Sequence, residues 1–278
     1  MTVRHPFFLT AVAICLLAGS AAAAETRSCR ILLPNDDGIQ HPGVRAAYYG
    51  LSKVCDVLIV APAANMSGMS HAILNTRTGT KVTETTIEPG LIGYAVEGSP
   101  AEAAALGLMV FGKDRPFDIV VSGINEGHNT GILNLYSGTV NAAVEGAVRG
   151  KPSIAFSADG KDYSYAAAFA QRVVHQVLDK GLPAGIALNV NIPAPPVKGV
   201  VVVRSAGESY SVEGFDPVSS EGAVTVYKPR IRPIPAISIP GDAQAFQQGM
   251  VTISPLLVDR TAYQSMDYLK GWELQLRP

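Results

Sequence analysis

The stretch Ile31-Leu32-Leu33-Pro34-Asn35-Asp36-Asp37-Gly38 constrains the fold of this chain more than any other segment. An apolar run stops abruptly at a proline, an amide, two adjacent carboxylates and a glycine. Pro42-Gly43 then opens an amphipathic segment, 44–54, that reads as a helix. The pattern is a buried parallel strand delivering two acids to its carboxyl end, where open α/β sheets build their sites. Neighbouring carboxylates repel each other, so holding them together calls for a cation or a shared proton. Asp-Asp-Gly is also ordinary turn chemistry. The segment alone leaves a solvated turn open.

Apolar runs alternate with helix-like segments through the first two-thirds of the chain. Residues 57–60, 117–121, 153–156 and 186–192 read as buried strands, and 100–110, 139–148 and 165–178 as helices. The run at 117–121 is expected to break at Ser122-Gly123. Residues 81–86 and 94–96 read as short strands, with a hairpin around Pro89-Gly90. Alternation of this kind predicts an α/β fold: a Rossmann-like, mostly parallel sheet with helices on both faces. From 200 to 240 the chain turns rich in Val, Ser, Pro and Gly without a helical period, and reads as β-hairpins projecting from the core. A strand at 250–254 and a helix at 262–269 complete the prediction.

Residues 1–24 have the pattern of a secretory signal peptide: Arg4 and His5, an apolar run at 7–17, then Ala22-Ala23-Ala24 before Glu25. The run is shorter than the roughly 20 residues a spanning helix needs. The expected product is an exported, periplasmic protein with no membrane span, whose domain is residues 25–278. The 22 basic and 23 acidic residues form no basic stripe, which argues against a nucleic-acid duplex held through its phosphates. Cys29 and Cys55 each precede a predicted strand. If those strands are parallel neighbours, the two thiols share one end of the sheet, and an oxidising compartment favours a disulfide. Two unpaired, half-buried thiols are the competing reading.

Three predicted strands end in polar, glycine-containing loops. They supply Asn35, Asp36 and Asp37; then Asn65, Ser67 and Ser70; then Ser122, Asn125, His128 and Asn129, followed by Ser137-Gly138-Thr139 at a helix start. Parallel strands bring such loops to one edge. Carboxylate, hydroxyl and amide carbonyl are hard oxygen donors, suited to Mg²⁺ or Mn²⁺ first and to Ca²⁺ as well. The helix mouth offers N–H groups to an anion, although Ser or Thr there is often only a cap. A cation beside an anion cradle is what phosphate-ester hydrolysis needs. His128 has a side chain able to protonate a leaving group; a surface histidine is the plainer reading. Glu102 reads as a helix-dipole carboxylate.

The segments 31–38 (ILLPNDDG), 60–68 (VAPAANMSG), 98–102 (GSPAE), 121–129 (VSGINEGHN) and 136–140 (YSGTV) resemble the SurE survival-protein nucleotidases in order and spacing. Residues 189–193 (NVNIP) and 251–256 (VTISPL) extend the likeness. The resemblance implies a divalent-metal phosphatase acting on nucleoside monophosphates, a 5′/3′-nucleotidase, with a Rossmann-like core and a β arm used in homo-oligomerisation as a dimer or tetramer. By position it implies Asp36, Asp37, Ser67 and Asn125 as metal ligands, with Asp36, Asp37 and Asn125 at the catalytic centre. Asn35, Asn129, Ser137, Gly138 and Thr139 fall near the phosphate. The competing function is a non-catalytic periplasmic protein that binds a metal–phosphate ligand in the same loops.

Overall fold

A computed structural model describes residues 29–272. The expected signal peptide therefore lies outside the described residues. The elements run β1 (Arg30–Leu33), α1 (Pro42–Leu51), β2 (Asp56–Pro62), β3 (Val82–Glu88), β4 (Leu91–Val96), α2 (Pro100–Leu106), β5 (Ile119–Glu126), α3 (Leu133–Tyr136) and α4 (Gly138–Val148). They continue with β6 (Ser153–Ala158), α5 (Ser164–Lys180), β7 (Ile186–Ile192), β8 (Gly199–Val202), β9 (Tyr210–Glu221), β10 (Val224–Pro233), α6 (Asp242–Gln247), β11 (Met250–Leu257) and α7 (Met266–Lys270).

Nine strands form one sheet in the order β3-β4-β2-β1-β5-β6-β7-β11-β8. From β4 to β7 every neighbouring pair is parallel. In β1 the side chains alternate between two cores. Ile31 and Leu33 pack in the layer that contains Val44 and Ala47 of α1 and Val174 of α5, whereas Leu32 packs with Ala103 of α2 and Phe117. All three β1 side chains are fully buried. Each stabilises the fold by about 1.5–3 kcal/mol relative to exposure. A strand covered on both faces must be apolar throughout, which explains its unbroken run.

The chain leaves β1 toward β2 on one side and later returns to β5 on the other. Arg30 pairs with Asp56 on β2, while Ile31 pairs with Ile119 on β5. The strand order thus reverses at β1, and a crevice opens beyond its carboxyl end, where open α/β sheets bind ligands. The register also brings Cys29 against Cys55, and the two form a disulfide with Cα atoms 4.8 Å apart.

Several expectations are corrected. The strand at 117–121 does not end at Ser122-Gly123 but continues to Glu126. The register against β6 shifts between Ser122 and Asn125, so the expected break is a bulge. Gly123 adopts φ 119° there, a conformation closed to other residues without strain. The helix expected over 100–110 keeps its α form only to Leu106 and continues as a π-helical turn, Gly107–Phe111. The helix at 262–269 is a 3₁₀ turn followed by the short α7. The expected arm of 200–240 is narrower: β8 joins the main sheet beside β11, and only β9 and β10 form the separate antiparallel hairpin.

Candidate active site

The site grows out of the end of β1. Pro34 has no N–H to continue the ladder, and its carbonyl instead accepts the N–H of Gly123. The Asn35 side-chain amide donates to the Gly38 carbonyl at 2.9 Å, closing a turn that presents Asp36 and Asp37. The loop after β2 is tied onto this turn. The Met66 N–H donates to the Asp36 carbonyl at 2.7 Å, which places Ser67 next to the acids, and the Ser70 N–H donates to the Tyr136 carbonyl. The bulge in β5 brings in Asn125. Its amide nitrogen donates to the carbonyls of Glu126 and Gly127, which leaves its Oδ1 facing the Thr139 hydroxyl at 3.5 Å.

Helix α4 supplies the fourth wall. Ser137 caps it, its hydroxyl accepting the Val140 N–H at 3.1 Å. The Thr139 hydroxyl donates to Asp36 Oδ1. Gly138 packs directly on Asp36: a Cβ there would stand 2.8 Å from Asp36 Cβ and 2.6 Å from Pro100 Cγ. A side chain at 138 would push the carboxylate away from the helix mouth.

The two acids are held in a costly environment. Burial raises the Asp36 pKa, against hydrogen bonds from Thr139 and the N–H groups at the start of α4. Burial, and next the Asp36 charge, push Asp37 up to about 6; the Glu126 N–H, 3.0 Å from Asp37 Oδ2, opposes this. His41 Nδ1 stands 3.6 Å from Asp37, but that nitrogen already accepts the Gly43 N–H. Beside this pair, Asn35 Oδ1 is buried without a hydrogen-bond partner among the described residues. Two carboxylates with raised pKa values, the Asn125 amide oxygen and the exposed Ser67 hydroxyl on the adjoining loop are hard oxygen donors, the kind that fits a small divalent cation. Among the described residues no three His, Cys, Asp or Glu side chains group together as metal ligands. The set here relies on neutral oxygens beside two acids.

The structure thus gathers Asp36, Asp37, Asn125, Ser137, Gly138 and Thr139 around one crevice, with Asn35 beneath and Ser67 at its rim. Two positions make contacts that the sequence did not show. The Asn129 side chain turns inward and donates to Ser157 Oγ, while its backbone bonds to the side chains of Asn189 and Asn191. Glu102 does more than complement a helix dipole: it is buried and accepts from the Leu74 N–H and the Thr80 hydroxyl, holding the loop before β3. Asp242, fully buried, was not singled out from the sequence. Its Oδ1 accepts the N–H groups of Gly131 and Ala206, anchoring the loop that leads from β5 to α4. An acid at the start of a six-residue helix carries no local sign of a partner 111 positions away.

The profile of the family described as Survival protein SurE matches residues 31–212. This chain belongs to the SurE family. A protein named 5′-nucleotidase SurE from Syntrophus aciditrophicus is 39% identical over 250 residues, covering 87% of this chain and 93% of that relative. Another, 5′-nucleotidase SurE 1 from Thermus thermophilus, is 37% identical over 247 residues, covering 87% and 97%. The crystal structure of the SurE protein from Aquifex aeolicus aligns with a TM-score of 0.74 at 34% identity, covering 87% of this chain and 98% of that one. The expected family and the Rossmann-like α/β architecture are both borne out.

Within the SurE framework, Thr139→Val tests the hydroxyl that meets Asp36. Valine keeps the shape but removes the hydroxyl donor to the buried carboxylate, a loss of about 1–3 kcal/mol. The expected result is a fall in kcat/KM of roughly 5- to 150-fold for a nucleoside monophosphate. Unchanged kcat/KM would reduce the contact to packing.

Proposed function

We propose that this chain is a 5′/3′-nucleotidase that hydrolyses nucleoside monophosphates to nucleoside and phosphate with the help of a divalent cation, Mg²⁺ or Mn²⁺ first. The activity class rests on the family and on relatives named as 5′-nucleotidases at 34–39% identity. The observation that carries the metal reading is the buried Asp36 carboxylate beside Asp37, bonded by Thr139 and pressed against the amino end of α4. Asp36, Asp37, Ser67 and Asn125 would hold the cation. When bound, it would neutralise charge on the phosphate oxygens and acidify water for attack. Thr139 and the first N–H groups of α4 fix the Asp36 carboxylate, and the helix's positive end favours negative charge at this mouth. A non-catalytic metal–phosphate binding role is not favoured, because the relatives carry an enzyme's name.

The Cys29–Cys55 disulfide supports the exported, periplasmic reading, since such bonds persist in oxidising compartments. Apolar side chains exposed on the β9–β10 hairpin, Phe215, Val224 and Tyr227 among them, support a homo-oligomer built through that arm.

The sign of the Asp37 shift gives a pH test. Its folded pKa, about 6, lies above the ordinary 3.8. The ionised form is therefore the disfavoured one in the metal-free protein, whose stability gains from this group as pH falls from about 6 toward 4. Cation affinity moves the other way, because protons compete for the ligand. Calorimetric titration of Mn²⁺ is expected to show distinctly weaker binding at about pH 5 than at about pH 7.5. Equal affinity at both would contradict the assignment of Asp37 as a ligand.

A further inference from the structure

The loop that brings Ser67 to the crevice is long and has no regular structure of its own. Residues 63–81, between β2 and β3, form neither helix nor strand. Connections in compact α/β units are mostly short, and a longer one is commonly part of a site. The start of the loop is tied down: the Ala63 N–H donates to the Val96 carbonyl at 2.8 Å, and Asn65 Oδ1 accepts the Ser67 N–H at 2.9 Å. Beyond Ser67 the loop pairs with no strand among the described residues. Its position there depends on side chains that reach it from the helices.

Two buried carboxylates supply that hold. Glu102 of α2 accepts the Leu74 N–H at 3.3 Å and the Thr80 hydroxyl. Glu145 of α4 faces His71, with its Oε2 standing 2.8 Å from the ring Nε2. The Glu145 side chain is 6% exposed, and its other oxygen accepts Arg149 Nε at 2.6 Å. Burial pushes the Glu145 pKa up, but the bonds from His71 and Arg149 outweigh it and hold the acid below its ordinary value. An unpaired carboxylate would be costly at this position. Glu145 comes two helical turns after Gly138, on the face of α4 that packs against Asp36. One helix therefore holds Asp36 at its mouth and the Ser67 loop further along. Between the two, Ser70 donates its N–H to the Tyr136 carbonyl at 2.9 Å and its hydroxyl to the Leu135 carbonyl at 2.7 Å. Ser70 adopts φ 51°, a left-handed conformation that a serine keeps only where its surroundings impose it.

We propose that His71 and Glu145 are a positioning pair for the cation site: their bond holds the loop against α4 so that the Ser67 hydroxyl stays beside Asp36 and Asp37. The proposal rests on the metal-dependent nucleotidase reading and adds two residues that touch neither cation nor substrate. A hydroxyl is a neutral ligand, so its contribution depends on being held in place beforehand. The pair transmits its hold through the two bonds of Ser70, the residue before His71. Partners that fix a ligand from behind commonly matter roughly 10- to 100-fold to metal affinity. Asp36 and Asp37 keep their charge when the loop is loose. Loss of the pair therefore weakens cation binding without abolishing it.

The test uses Mn²⁺ alone as the probe. Calorimetric titration of His71→Ala is expected to show binding about tenfold weaker than in the unmodified protein. His71→Gln places an amide N–H where the imidazole Nε2 stood and is expected to keep the affinity. At saturating Mn²⁺ the turnover of His71→Ala is expected to approach that of the unmodified protein, whereas at limiting Mn²⁺ it falls in step with the affinity. A purely structural role would lower the melting temperature and leave the Mn²⁺ affinity of the folded protein alone. Unchanged affinity in His71→Ala, or an equal loss in both variants, would overturn the pair. A measurement on the unmodified protein covers an alanine variant that does not fold. Hydrogen exchange at the Ser70 and Leu74 amides is expected to slow on adding Mn²⁺, and no slowing would again overturn it. Should the unmodified protein bind no Mn²⁺ at all, the metal reading itself is wrong, whereas intact binding that ignores residue 71 removes the pair alone.

Discussion

Replacing Asp36 or Asp37 by asparagine is expected to lower turnover on a nucleoside monophosphate by about 10²-fold or more, with the fold intact. The reason the fold survives is local. Asparagine has the shape of aspartate, and its Oδ1 still accepts the Thr139 hydroxyl that now bonds Asp36. Neutralising either acid also relieves the burial that raises its pKa, and neutralising Asp36 removes the repulsion that helps raise Asp37. What is lost is one of two negative charges holding the cation, and neutral ligands do not replace it. Thermal melts and circular dichroism of the variants check the first part; kcat under saturating Mg²⁺ or Mn²⁺ checks the second. A variant that loses activity only because it melts at assay temperature would not support the account.

Removing the disulfide through Cys29→Ser with Cys55→Ser is expected to destabilise the protein by about 3.5 kcal/mol on the chain-entropy model for a 26-residue separation. The Cα separation of 4.8 Å lies within the ordinary disulfide range, and the Asp56 N–H bonds the Cys29 carbonyl at 2.8 Å, which sets the register. The bridge sits at the amino ends of β1 and β2, and the acids follow the carboxyl end of β1. Four strand residues separate them, about 13 Å. Turnover under stable conditions is therefore expected to change little. Chemical denaturation with and without reductant measures the stability, and thiol titration of the unfolded, unreduced protein measures the bridge. Two free thiols would contradict it.

Much of this was legible in the sequence because it rests on local pattern. Strands buried on both faces must be apolar throughout, so β7 is read at its observed bounds, Ile186–Ile192, and β1 from its run into Pro34. The disulfide followed from two strand entrances in parallel register. The site loops followed from the topology, since parallel strands end on one side. What escaped depends on contacts that sequence spacing does not encode. Gly123 reads as a strand end by composition, yet pairing with β6 on both sides of it carries the strand through a bulge to Glu126. Thr139 at a helix mouth has the composition of a cap or an anion ligand. Its hydroxyl is instead turned to a carboxylate 103 residues earlier, while Ser137 does the capping. Asn129 was placed near the phosphate by the family resemblance, and its contacts within the fold could not be read from spacing. Its partners Ser157, Asn189 and Asn191 lie on β6 and β7, and only the folded sheet brings them beneath the loop.

The most direct test of the central claim is phosphate release from a panel of nucleoside monophosphates by protein stripped with chelator, with metal removal verified by elemental analysis. The account predicts negligible release from the stripped protein and recovery of turnover on adding Mg²⁺ or Mn²⁺, with Asp36→Asn failing to recover. Full activity in the verified metal-free protein would contradict it.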